Sequence, residues 1–246
     1  MEDFLKLFLL FLIYSIIGWL MESALVSFQS SKLINRGFLI GPYCPIYGFG
    51  GLIITLYLTQ YKDNLFTVFF LAIIVCSILE YFTSYLMEKI FKARWWDYSE
   101  EKFNLNGRIC GKNALAFGFV SIILLYIINP FIEKQVSYIP NNILMIIAII
   151  SLIIFTTDTV FSCNVIAKLR NTAASISATT KDVTVDISKL VKDRVNYRFN
   201  ILQRRLLRAF PDASFSTIIN KYNKLRREFE SRSTLGKLKY KITKKG

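Results

Sequence analysis

Histidine is missing from the 246 residues altogether. Its absence removes the usual general base near neutral pH and the commonest metal ligand, so many hydrolase mechanisms are excluded with it. Cysteine is scarce: Cys44, Cys76, Cys110 and Cys163 are scattered without a C-x-x-C pair, and neither a zinc site nor a redox motif is signalled. They read as small buried apolar residues. Acid is also in short supply, with 17 Asp and Glu against 31 Lys and Arg and a formal net charge of +14. A nucleotide-binding Walker A segment is lacking too. The run G-x-x-x-G-K-N from Gly107 to Asn113 fails that pattern, being one residue short, with Asn in place of Ser or Thr and no strand before it. No cofactor and no set of catalytic residues is legible.

What is plentiful is apolar. Hydrophobic residues make up 53% and aromatic residues 15% of the chain, and the mean hydropathy is +0.40. These values belong to integral membrane proteins. Apolar runs near the crossing length occur at 4–26, 41–60, 65–88, 114–132 and 143–167, and predict an all-α, polytopic transmembrane bundle of about five spans. The first is not expected to be a cleaved signal, because Glu2 and Asp3 are acidic where a signal is basic and no small-x-small site ends the run.

Charge divides the chain into a bundle, residues 1–169, and a basic cytoplasmic tail, residues 170–246, which holds about 19 Lys and Arg against about 6 Asp and Glu. The tail reads as a helical hairpin. Val183, Ile187, Val191, Val195, Phe199, Leu202 and Leu206 form one apolar stripe that ends before Pro211. Phe215, Ile218, Ile219, Tyr222, Leu225 and Phe229 form another from Ser214, and the last stretch, 236–246, reads as frayed. These stripes pack on each other or on a second copy of the chain in a homo-oligomer, or they lie on anionic membrane lipids, where each Lys or Arg contributes about 1 kcal/mol. No recognition motif accompanies the charge, so nucleic acid is not an expected partner.

Basic residues cluster in alternate connections: Lys32 and Arg36, then Lys89, Lys92, Arg94, Lys102, Arg108 and Lys112, then the tail. The other connections hold only Lys62 and Lys134. The positive-inside rule then predicts a multi-pass protein with its N-terminus outside and its C-terminus in the cytoplasm.

The segment Asn35–Gly51 breaks the helical pattern. Gly37, Gly41, Gly48, Gly50 and Gly51, with Pro42 and Pro45, stand where a span should begin. Irregular backbone at membrane depth needs cover from protein or a water-filled cavity, which places this stretch inside the bundle or in a partly re-entrant loop. Spans one, three and five each carry an acid, Glu22, Glu80 and Asp158. Ionisable groups in spans are costly and normally face the bundle interior with a partner. All three lie past the middle of outside-to-inside spans, so they fall at similar depth in the cytoplasmic half. Arg36 and Arg108 are placed to reach them. The expected substrate-binding set is therefore Glu22, Arg36, Glu80, Arg108 and Asp158, with Tyr47 from the glycine segment and Asp97 and Asn106 from the third connection. In that connection Trp95, Trp96 and Tyr98 suit the membrane interface, and Asp97, Asn104, Asn106 and Arg108 suit a lipid head group or helix caps.

G-W-L-M-E (Gly18 to Glu22), N-R-G-F-L-I-G-P-Y-C-P-I-Y-G-F-G (Asn35 to Gly50), L-E-Y (Leu79 to Tyr81) and R-W-W-D-Y-S-E-E-K-F-N-L-N-G-R-I-C (Arg94 to Cys110) together carry a family likeness. The chain resembles the bacterial membrane family labelled "Putative ABC-transporter type IV", the CmpB-like permeases. The resemblance covers roughly the first two thirds of the chain and leaves the tail outside it. The run G-K-N-A-L-A-F-G after Cys110 departs from the family pattern. The resemblance implies a transport role in the bacterial cytoplasmic membrane, with any ATPase supplied as a separate subunit docked on the inner loops. Three roles stay open from the residues: a permease-like transporter or channel subunit, an enzyme acting on lipid head groups at the inner leaflet, and a non-catalytic scaffold or regulator.

Overall fold

The computed structural model describes residues 2–181, 201–211 and 213–215. Within them the fold is all-helical. Helix α1, Glu2–Ser30, is followed by a non-helical stretch and then by α2, Pro45–Ile53. A wide π turn, Ile54–Leu58, and a tight 3-10 turn, Thr59–Tyr61, continue α2. Helix α3 is Leu65–Phe91, with the Asn64 side chain accepting from the Thr67 amide at 3.1 Å to cap its start. Helix α4, Gly111–Ile123, passes through a π turn, Leu124–Ile128, into α5, Asn129–Ser137. Helix α6, Asn141–Lys181, is the longest, and α7, Ile201–Ala209, belongs to the tail.

Among the described residues four segments are long and apolar enough to cross a membrane: Asp3–Ser30, Leu65–Phe91, Gly111–Ser137 and Asn141–Asn171. The third runs past its expected end at 132, because the π turn preceding Pro130 absorbs the amide that proline lacks and the helix continues. The stretch expected at 41–60 is shorter as helix and starts only at Pro45.

The reason lies in the preceding residues, which run back along α1. The Ile34 amide donates to Ser27 Oγ at 2.9 Å and the Arg36 amide to Ser23 Oγ at 3.1 Å. Trp19 Nε1 donates to Asn35 Oδ1 at 2.7 Å, and the Cys44 amide donates to the Ser15 carbonyl at 2.9 Å. From Ser27 to Ser15 the chain thus climbs back by about 18 Å at 1.5 Å per residue. Helix α2 begins at the depth of Ser15, so the non-helical stretch and α2 share one crossing between them. Close contact between α1 and α2 depends on small residues. A Cβ on Gly48 would stand 2.6 Å from the Phe11 carbonyl oxygen, and one on Gly51 2.6 Å from the Tyr14 ring.

Two cores hold the bundle. One joins Tyr14, Ile54, Leu58, Val68, Ala72, Cys76, Leu124, Leu125 and Ile132 from α1 to α5. The other joins Ala93 and Trp95 with Val165, Ile166 and Leu169 of α6 and with Leu206, Ala213 and Phe215 of the tail. Trp95, expected at the interface, is only 3% exposed at the centre of this second core. Reciprocal backbone contacts seal it: the Ser214 amide donates to the Arg94 carbonyl at 2.9 Å, and the Arg94 amide to Ser214 Oγ at 3.1 Å. The outward faces are apolar. Phe66, Phe70, Ile74, Ile78 and Phe82 recur along one exposed edge of α3, and Ile143, Ile146, Ile150 and Ile153 along α6, as lipid contact requires.

Helix α6 runs without a break through position 170 to Lys181. The upper part of the expected tail stripe, Val183 to Phe199, and the second tail helix beyond Phe215 lie outside the described residues, as does the expected frayed end.

Candidate functional site

A cavity of about 510 Å³ lies among α1, α2, α3, α4 and α6. Most of its wall is apolar, from residues such as Ile17, Leu79, Phe117, Val120, Leu124 and Phe155. Polar groups gather on it where the re-entrant stretch and the third connection enter: Glu22, Arg36, Tyr47, Glu80, Trp96 and Tyr98.

Glu22 projects from α1 toward the start of α2. Tyr47 Oη donates to its Oε1, and Arg36 Nε lies 3.7 Å from its Oε2. Both carboxylate oxygens are therefore engaged. Tyr47 comes this close because its ring crosses α1 at Gly18, where a Cβ would stand 2.6 Å from ring carbon Cδ2. Arg36 donates through Nη1 to the Ala209 carbonyl and covers the Phe210 ring at 4.9 Å. That ring also lines the cavity, so the tail supplies part of its wall.

Glu80 is only 6% exposed at the middle of α3. Tyr98 Oη donates to its Oε1 at 3.4 Å, and Asn113 at the start of α4 stands beside the same carboxyl group. Among the described residues Oε2 has no partner of hydrogen-bonding geometry. Burial, followed by the neighbouring Glu80 carboxyl, holds the Tyr98 hydroxyl well above the ordinary phenol value, so Tyr98 remains a donor throughout the neutral range.

The third connection fixes Tyr98 by local geometry. Asn106 and Gly107 both have positive φ, 55° and 65°, and the Arg108 amide donates to the Leu105 carbonyl at 3.0 Å. This is a type I′ turn, for which Asn-Gly is the favoured pair. Asp97 accepts from the Ser99 amide at 3.1 Å and from Arg94 Nη1 at 3.2 Å, and the Tyr98 amide donates to the Gly107 carbonyl at 2.8 Å. Hydrogen bonds from Ser99, with Arg94 beside them, hold the Asp97 carboxyl below its usual value.

The expected residues thus divide. Glu22, Arg36, Tyr47 and Glu80 meet on one cavity. Asp97 and Asn106 do not line it; they brace the turn behind Tyr98, and Asn106 Nδ2 donates to Tyr81 Oη at 3.0 Å. Arg108 points elsewhere, with Nη2 2.6 Å from Glu88 Oε2 and Nη1 donating to Ser84 Oγ at 3.2 Å. Asp158 sits just off the wall, where it accepts from the Gly41 amide at 2.8 Å, the Ile40 amide at 3.2 Å, Ser162 Oγ at 2.9 Å and Tyr43 Oη. It supplies the acceptors that the broken backbone needs. Among the described residues no group of three or more Cys, Asp and Glu could hold a metal ion.

Several contributors were not anticipated. Tyr98 and Trp96 reach the cavity from a loop, which apolar periodicity does not register. Tyr14 and Asn129 form a second polar station: Tyr14 Oη donates to Asn129 Oδ1 and lies 3.0 Å from Thr55 Oγ1, while Asn129 Nδ2 donates to Glu133 Oε1 at 2.9 Å. Tyr14 lines the same cavity, about 12 Å along α1 from Glu22. The signal available for it was Asn129 next to Pro130 within an apolar run.

The sequence model described as "Putative ABC-transporter type IV" matches residues 9–163, which includes every residue placed on the cavity except Phe210. No curated protein and no solved structure matches the chain significantly.

Proposed function

Because the chain belongs to the "Putative ABC-transporter type IV" family, and so is a transporter-related membrane protein, we propose that it acts as a permease subunit with its substrate site on this cavity. The observation that carries the reading is the broken crossing. The non-helical stretch and α2 meet near mid-bundle, and Cys44, Pro45, Ile46 and Tyr47 at the start of α2 all line the cavity. Discontinuous helices of this kind build the mid-membrane sites of many transporters, since unwound backbone and helix ends offer polar groups that an intact helix hides. Glu22 and Glu80 give a substrate a polar station on an otherwise largely apolar wall, which Tyr14 also lines about 12 Å along α1 from Glu22.

Other features support the reading. Arg108, which a lipid-head-group enzyme would need beside Arg36 to hold phosphate, is committed to Glu88 and Ser84 outside the cavity. Arg36, Phe38, Arg94 and Trp95 from the first and third connections all contact the tail, which fits one cytoplasmic side for all three. With the N-terminus outside in a bacterial cytoplasmic membrane, a separate ATPase would dock on this side.

Reconstitution into lipid vesicles tests the reading, with flux of a panel of small labelled compounds as the measurement. Glu80→Gln and Glu22→Gln are expected to insert normally and to lower flux at least tenfold. Full flux in both variants would remove the proposed site.

A further inference from the structure

The wall of this cavity has a charge preference that can be read from its partners. One oxygen of Glu22 accepts from Tyr47 and the other is ion-paired with Arg36 Nε at 3.7 Å, and Arg36 is itself divided among Glu22, the Ala209 carbonyl and the Phe210 ring. Glu80 differs. It is more than nine-tenths buried and lines the cavity; Tyr98 and Asn113 stand beside its carboxyl group, and its Oε2 has no donor of hydrogen-bonding geometry among the described residues. A carboxylate oxygen held away from water without a donor is costly, and a ligand that brings a cation or an N–H to it recovers that cost. Tyr98, which donates its hydroxyl to Oε1, and Trp96 line the same cavity. Aromatic faces next to a buried carboxylate are the surroundings that bind ammonium groups. The rest of the wall is apolar, and at about 510 Å³ the space lies in the range that encloses a drug-sized molecule.

We propose that the cavity binds amphiphiles carrying a single cationic head, with the head on Glu80 and the apolar body against Leu79, Val120 and Leu124. This rests on the same cavity as the transport reading and narrows it to a substrate class. An anionic amphiphile would meet Arg36, whose charge is already matched by Glu22. A neutral one brings Glu80 at most a hydroxyl donor and no charge.

The test uses the full chain in lipid nanodiscs and three probes with one twelve-carbon chain: dodecylamine, dodecanol and dodecanoate. Calorimetric titration of wild type is compared with Glu80→Gln in the same lipid, which subtracts partition into the bilayer. The amine is expected to bind at least tenfold more tightly than the alcohol, and the acid more weakly than either. Glu80→Gln is expected to bring the amine to the level of the alcohol and to leave the alcohol unchanged. Gly50→Leu serves as a second variant, because a Cβ there meets only Leu79 at 3.6 Å and the added side chain occupies cavity space. It is expected to weaken all three probes alike. Equal affinity for the three heads, preference for the acid, an amine preference that survives Glu80→Gln, or no saturable binding of any probe would each overturn the assignment. Saturable amine binding with no flux of any compound would leave this site standing and remove the transport reading. Flux of uncharged compounds with no amine binding would do the reverse.

Discussion

Asp158 carries more of the architecture than its place in a long apolar helix suggests. Its carboxylate is the acceptor for two backbone amides and the Tyr43 hydroxyl of a stretch with no helical hydrogen bonds of its own, and for Ser162 one turn along its own helix. Asp158→Ala strands those donors in the bundle, and a loss of roughly 2–5 kcal/mol is expected, measured as unfolding in detergent. Asp97 makes a prediction about pH. Its carboxyl is held below the usual value, first by Ser99, so its support for the turn is complete above the unfolded value of about 3.9 and is lost only as pH falls through the lower folded value. Hydrogen exchange of the Tyr98 amide should therefore show no extra opening above about pH 4 and should show it only as pH falls further below the ordinary aspartate value. At this scale the sequence was partly readable. A carboxylate in a span announces that it has a partner, but whether that partner is a ligand or a backbone amide depends on how the chain folds back, and Glu80 and Asp158 look alike until it does. Asn106 followed by Gly107 is a turn signal in its own right, and weighing Asn106 as a head-group ligand passed over it.

Among the elements, α2 shows best how packing decides position. Gly48 and Gly50 are two residues apart, yet a methyl group at Gly48 meets the Phe11 carbonyl at 2.6 Å, whereas one at Gly50 meets only a leucine methyl at 3.6 Å. Gly48→Ala is expected to destabilise the bundle by about 1–3 kcal/mol, and Gly50→Ala to leave it within about 0.5 kcal/mol of wild type, by thermal unfolding of the two variants side by side. The glycines and prolines of 35–51 did announce a break, and the backbone does leave regular helix there. The direction of the break was not announced. It follows from Ser15, Trp19, Ser23 and Ser27, a polar edge on α1 that receives the returning chain. Pro130 shows how a span continues past a proline: one wide turn lets α4 pass into α5 unbroken.

For the whole molecule, the tail and the bundle are not independent. Phe210 packs edge-on to Trp95 at 5.1 Å and lies under Arg36, so Phe210→Ala is expected to loosen both contacts. A stability loss of about 1–3 kcal/mol and a red shift of tryptophan emission would mark it; unchanged emission would mean that Trp95 keeps its surroundings without the ring. Hydropathy and charge made the bundle legible, because lipid imposes long apolar runs and the basic residues lie in alternate connections. They could not show that Trp95 is core rather than interface, since its partners Leu206, Phe210 and Phe215 come from the far end of the chain. That distance in sequence also sets an order of events. Translation delivers every crossing before residues 206–215, so the layer around Trp95 closes only after the spans have been made, and Trp95 stays uncovered until that segment arrives.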